Sequence, residues 1–259
     1  MAEAIVDRYA GVVIDIDGVL LLGGDQVDGA GEAVAALRDR GVSLAFVTNN
    51  SSRTAEQVAE TLSEAGVSAS ADAVTTAALA AAELLEPSTR CLIIGMDGLR
   101  SALADRGCEE VDDPFQAEAV VVGWDRRMEW DDLRRATLAL EAGARFVGTN
   151  ADPTYPTSEG SWPGTGATLA FLTRATGREP EIAGKPEAPV FRAAAARLPE
   201  GRLLMVGDRP ETDVRGAAAL GWDTALVLTG VTTSEAAADA EPKPTYVLDH
   251  LRDLLDPPD

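Results

Sequence analysis

Short apolar runs alternate with amphipathic stretches along this chain, and several of the runs stop at a polar cluster. Gly11-Val12-Val13-Ile14, Val42 to Val47 (with Ser43 its one polar residue) and, after Arg202, Leu203 to Val206 are apolar without alternation, the pattern of strands covered on both faces in a parallel sheet. Between them, Ala30, Val34 and Leu37 fall at helical spacing. So do Val58, Leu62 and Ala65, after a capping-box pair at Thr54 and Gln57. Pro189 to Leu198 predicts a further helix, as does Val214 through Leu220 with Gly221 just past its end. Trp222 to Leu228 adds a core element, and Tyr246-Val247-Leu248 is expected as a last edge strand. Strands alternating with helices predict an α/β fold, a doubly wound parallel sheet of the Rossmann-like kind.

Spacing supplies the domain plan. Only 30 residues separate Asp17 from Thr48, room for one helix and one strand. By contrast, 136 residues separate Thr48 from Lys185, far beyond a crossover of about 10–12 residues. That stretch carries its own apolar strands at 90–94, 119–122 and 145–147, with helical patterns near 97–106, 131–141 and 165–176. A discontinuous core of residues 1–76 plus 182–259 is therefore expected, with a smaller α/β domain inserted at 77–181.

The polar clusters sit where the core strands run out. Asp15 and Asp17, two apart in extended backbone, can face one pocket, and Gly18 lets the chain turn away. Like charges this close are costly unless a cation or a chemical task uses them, although Asp and Gly are also ordinary turn residues. Thr48-Asn49-Asn50-Ser51-Ser52 offers hydroxyl and amide donors suited to an anionic oxygen; a plain capped turn would read the same. Lys185 lies between Gly184 and Pro186, and Lys243 is the only other lysine in the chain. Asp208 follows the strand at 202–206, and Asp213 opens the next helix, where pairing with the helix dipole would also suit it. Right-handed crossovers bring parallel strand ends to one edge. Carboxylates, one lysine and donor-rich loops there make a site for a hard cation such as Mg²⁺ and a phosphoryl group. No histidine or cysteine cluster competes, since His250 is the only histidine.

Together, Asp15-Ile16-Asp17-Gly18-Val19, Thr48-Asn49-Asn50, Gly184-Lys185-Pro186 and Gly207-Asp208-Arg209 with Thr212-Asp213 resemble the four motifs of the haloacid-dehalogenase-like phosphatases. Their wording is similar to the branch of NagD-type and p-nitrophenyl-phosphatase-like proteins. Gly123-Trp124-Asp125-Arg126, Gly148 to Asp152, Tyr155-Pro156-Thr157 and Pro163 to Gly166 resemble that branch too, so the likeness runs from about Val12 to Gly230. Each motif alone is weak; four in order are specific. Ala151 departs from the branch, which usually has proline there, and this bears on loop shape more than on chemistry.

The resemblance implies Mg²⁺-dependent hydrolysis of small-molecule phosphate monoesters, such as sugar phosphates or nucleotides, through an aspartyl-phosphate. Asp15 would be the nucleophile and Asp17 the general acid and base. Thr48, the amide of Asn49, and Lys185 would hold phosphoryl oxygens. Mg²⁺ would be held by Asp15, by the main-chain oxygen of Asp17 and by Asp208, with Asp213 supporting the ligands or a bound water. The inserted domain would be a cap placed after the second motif, with loops at 124–127 and 150–162 as substrate selectors and pairing of two copies through it. Trp162 is expected either packed in its loop or stacked on a substrate ring. A dehalogenase would need neither Asp17 nor the Mg²⁺ site, and phosphonate cleavage would look for a cap lysine, which 77–181 lack. A non-catalytic phosphate-binding protein would have no need of Asp15, Asp17, Thr48, Lys185 and Asp208 together.

Composition sets the outer bounds. With 43 Asp+Glu against 22 Lys+Arg, the net charge is −21, which argues against nucleic acid as a partner. So large an acidic surplus with so little lysine resembles proteins of a salt-rich cytoplasm, whereas a GC-rich genome would account for the arginine and alanine alone. No apolar stretch reaches membrane-spanning length, and Asp7 and Arg8 interrupt any signal-peptide pattern. A cytoplasmic protein is expected, with Cys91 and Cys108 as free thiols.

Overall fold

The computed structural model describes residues 3–157 and 159–258. Ser158, inside the loop expected to select substrate, lies outside them, as do residues 1, 2 and 259 of the expected core. The chain divides into two compact units, Met1–Thr48 with Ala55–Thr75 and Phe191–Asp259, and Asn49–Thr54 with Thr76–Val190.

The first unit is built on a six-stranded sheet. Its order is Tyr246–Leu248, Asp223–Val227, Leu203–Gly207, Gly11–Asp15, Ser43–Thr48, Val74–Thr76. The first five strands run parallel, with Ile14 opposite Val206 and Asp15 opposite Val47. Val12, Val13 and Ile14 are all fully buried, so the central strand is covered on both faces, as its unbroken apolar run predicts. The helix Ala30–Asp39 buries Ala30, Ala33, Val34 and Leu37, three and four residues apart. These join Val12, Ile14, Phe46 and Leu62 in one core cluster. Gly221 takes a left-handed conformation (φ 76°) just past the helix Arg215–Ala219, the stop signal read from the sequence.

The second unit has its own five-stranded parallel sheet, in the order Glu181–Ile182, Arg145–Gly148, Ala119–Val122, Arg90–Ile94, Glu109–Glu110. The helices Trp130–Glu141 and Thr165–Thr176 turn Leu133, Ala136, Leu140, Leu169 and Leu172 into a cluster with Leu92, Val120 and Phe146. The breaks between units fall at 48/49, 54/55, 75/76 and 190/191, where spacing suggested only 76/77 and 181/182. Glu181–Ile182 pairs with Arg145–Gly148 as an edge strand, which keeps these two residues with the second unit. The helix expected to reach Leu198 is regular over Ala188–Ala195 and then tightens, with Leu198 N–H on the Ala195 carbonyl at 3.0 Å. Pro199 cannot continue a helix and disfavours helical backbone in the residue before it.

Part of the loop at 150–162 is a hairpin, Thr154–Thr157 against Gly160–Pro163. Trp124 stacks on Tyr155 with ring centroids 4.0 Å apart, and its indole N–H donates to the Pro163 carbonyl at 3.1 Å. Trp162 is 38% exposed. Cys91 and Cys108 are free thiols, and burial, then the neighbouring Cys108, pushes the Cys91 thiol up to about 12. Among the described residues no helix is long and apolar enough to cross a membrane.

Candidate active site

Three adjacent strands of the first unit end in Asp15, Thr48 and Gly207-Asp208, so parallel pairing sets these groups side by side at the carboxyl edge of the sheet. Carboxylate oxygens of Asp15, Asp208 and Asp213 all lie within 4.8 Å of one another, and all three residues are buried. The Asp213 carboxylate, expected to support the ligands or a bound water, thus lies beside those of Asp15 and Asp208.

Each of these carboxylates has one oxygen fixed by a main-chain N–H. Ile16 donates to Asp15 Oδ1 at 2.8 Å, Val231 to Asp208 Oδ2 at 2.9 Å and Arg209 to Asp213 Oδ2 at 3.0 Å. Such bonds set the direction of the carboxyl plane. Asp213 reaches its place from a wide helical turn, Pro210–Val214, in which both Asp213 and Val214 N–H point at the Arg209 carbonyl.

Glycines make the room. A Cβ on Gly18 or on Gly230 would overlap the Asp208 carboxylate, and one on Gly207 would overlap the Asp213 side chain. Gly18 also has φ 86°, which a side chain would strain. Its place in the motif thus reflects space as much as the turn.

Three like charges this close and this buried call for a cation, and an all-oxygen donor set of carboxylates fits a hard one such as Mg²⁺. Asp17 is exposed at the strand end, and the Thr48 hydroxyl contacts its carboxylate at 3.5 Å. Lys185, 4% exposed, and Asn49 lie in the second unit, where the Asn49 side chain bonds the Lys185 main chain on both sides.

The loop Thr229–Thr232 escaped the sequence reading. Besides Gly230 and the Val231 N–H, it supplies the Thr232 hydroxyl to the Asp208 carbonyl, and the Thr229 hydroxyl to the Gly18 carbonyl at 2.7 Å. The available signal was a glycine among threonines directly after a core strand, at the same sheet edge as the other motifs.

Residues 12–109 match the family model for haloacid dehalogenase-like hydrolases, and 182–254 a second model described as HAD-hydrolase-like. The chain is 40% identical to D-glycerol 3-phosphate phosphatase of Mycobacterium tuberculosis over 97% of its own length and 72% of that protein's. It is 38% identical to a 5'-nucleotidase of Bacillus subtilis, covering 95% and 98% of the two chains. Among solved structures, the M. tuberculosis glycerol phosphate phosphatase in complex with magnesium superposes with a TM-score of 0.92 at 38% identity, over 99% of this chain and 79% of that one.

Proposed function

The chain belongs to the haloacid dehalogenase-like hydrolases, and from that premise we propose that it is a Mg²⁺-dependent phosphatase of small-molecule phosphate monoesters, working through an aspartyl-phosphate. The observation that carries this reading is the buried triad Asp15, Asp208 and Asp213 at the carboxyl edge of the sheet. Its relatives include phosphatases of glycerol phosphate and a 5'-nucleotidase, so the shared chemistry is the monoester.

Asp15 attacks phosphorus in line, dividing one hard displacement into two easier ones. Ile16 N–H on Asp15 Oδ1 fixes the carboxyl plane, which directs the other oxygen. Asp17 protonates the leaving alcohol and later takes a proton from the hydrolytic water, a task suited to its exposed position at the strand end. The Thr48 hydroxyl, the Asn49 main-chain N–H and the Lys185 ammonium take the phosphoryl oxygens, whose charge shifts in the transition state. Asp15, Asp208 and the Asp17 carbonyl would hold Mg²⁺, with Asp213 beside them. Bound there, the cation offsets repulsion between an anionic nucleophile and a phosphate dianion.

The test is phosphate release from a panel of monoesters with Mg²⁺ present: glycerol phosphate, sugar phosphates and nucleoside monophosphates. Turnover of at least one is expected. Binding without release across the panel would favour the non-catalytic reading.

The acidic surface fits a cytoplasm rich in salt. Net charge −21 repels itself where the Debye length is about 30 Å, in 0.01 M salt, and hardly at about 3 Å, in 1 M. Melting temperature, followed at saturating Mg²⁺, is expected to rise as KCl goes from dilute buffer toward molar. A flat or falling trend would leave genome composition as the reason for the charge. Pairing of two copies through the inserted domain belongs to the same reading, on the likeness to the branch.

A further inference from the structure

Lysine carries its charge on a flexible four-carbon stem, so the position of its main chain governs where that charge can reach. In this chain Asn49 holds that main chain. The Lys185 N–H donates to Asn49 Oδ1 at 2.7 Å, and Asn49 Nδ2 donates to the Lys185 carbonyl at 3.1 Å. The other Nδ2 hydrogen goes to Asp152 Oδ2 at 3.2 Å. A primary amide has two N–H donors, so both are committed and the side chain has none to give a phosphate.

The surroundings are arranged around this clasp. Asn150 Nδ2 donates to the Asn49 carbonyl at 2.8 Å, which fixes the peptide from which the side chain springs. The Asp152 N–H in turn donates to Asn150 Oδ1 at 3.1 Å, closing a small network through the 149–152 loop. A Cβ on Gly184 would lie 2.6 Å from Asn49 Oδ1 and 2.5 Å from the Thr149 carbonyl, so the amide reaches the Lys185 peptide only past a glycine. The glycine before the lysine thus has a steric reason.

We propose that Asn49 is a positioning residue for Lys185. Its side chain sets the lysine main chain and thereby the reach of the ammonium, while its own share in phosphate binding is confined to its main-chain N–H. Asp152 completes the device by accepting from the second amide hydrogen, which fixes the amide's orientation. The proposal rests on the reading of Lys185 as the cation that holds a phosphoryl oxygen.

The test is a double-mutant cycle with p-nitrophenyl phosphate at saturating Mg²⁺, measuring kcat and KM for wild type, Asn49→Ala, Lys185→Ala and the double variant. Asn49→Ala keeps the main-chain N–H. It should lower kcat/KM by about 10–100-fold, the scale of a misplaced catalytic group. Added to Lys185→Ala, it should lower it no further, because the group it positions is gone. Losses that multiply in the double variant would mean a separate role for Asn49 and overturn the proposal, as would an Asn49→Ala enzyme within about 2-fold of wild type. If Lys185→Ala itself keeps wild-type kcat/KM, the underlying phosphate assignment fails instead. Should Asn49→Ala not fold, the isosteric Asn49→Asp serves. Its new carboxylate oxygen faces the Lys185 carbonyl and Asp152, so a similar loss is expected, and adding Asp152→Asn should recover part of it. No recovery in that pair would also count against the clasp.

Discussion

Replacing Asp15 by Asn is expected to lower kcat for any monoester the protein turns over by at least about 10³-fold, the scale of removing a covalent nucleophile. An amide oxygen is too weak a nucleophile to displace an alkoxide from phosphorus. The fold should survive, because Asn is isosteric and can keep the Ile16 N–H bond to its Oδ1. Melting temperature without Mg²⁺ should even hold or rise, since one of three clustered negative charges is removed. Asp17→Asn should cost at least about 10²-fold, the usual worth of general acid catalysis. Near-wild-type phosphate release from purified Asp15→Asn enzyme, free of contaminating phosphatase, would sink the mechanism.

Exhaustive chelation is expected to remove activity altogether, with Mg²⁺ restoring it and Ca²⁺ doing so poorly. Ca²⁺ takes longer bonds and more ligands, so it would let nucleophile and phosphate drift out of line. Binding has its own readout. At a hundred times its Kd, Mg²⁺ should stabilise the folded chain by about 2.7 kcal/mol, or roughly 5–10 °C in melting temperature. Asp208→Asn should abolish most of that shift. Gly18→Ala should do much the same without touching a carboxylate, because its Cβ would overlap Asp208. Full activity after chelation, or an undiminished Mg²⁺ shift in Asp208→Asn, would point to a metal-free hydrolase.

The sheet and the residues at its edge were legible because they obey local rules. Buried parallel strands are apolar throughout, and polar residues at their ends have little reason to be there except chemistry, so Asp15, Thr48 and Asp208 stood out. The hairpin Leu21–Leu22 with Asp25–Gln26 was missed, although Gly23-Gly24 is the two-residue turn such hairpins favour. The contribution of Thr229–Thr232 was hidden for another reason. Its hold on Asp208 runs through a main-chain N–H and the space left by Gly230, and neither leaves a side chain to recognise. Asn49 was read as a phosphate ligand by its place in a motif. That its side-chain amide is spent on Lys185, leaving only the main-chain N–H for that role, is a matter of partners 136 residues apart in sequence, which no local pattern encodes.

The order of strands also has a consequence for how the chain is made. Gly11–Asp15 occupies the middle of its sheet, yet its partner on one side, Leu203–Gly207, is translated only after the whole insert. At about 5–20 residues per second, the ribosome leaves that edge of the central strand open for roughly 10–40 s. Apart from Asn49–Thr54, the second unit is one continuous stretch, Thr76–Val190, with every strand of its sheet in hand before Leu203 emerges. The insert is therefore placed to fold first on the ribosome, while the half-built catalytic sheet waits, and its unpaired apolar edge is the segment most in need of a chaperone.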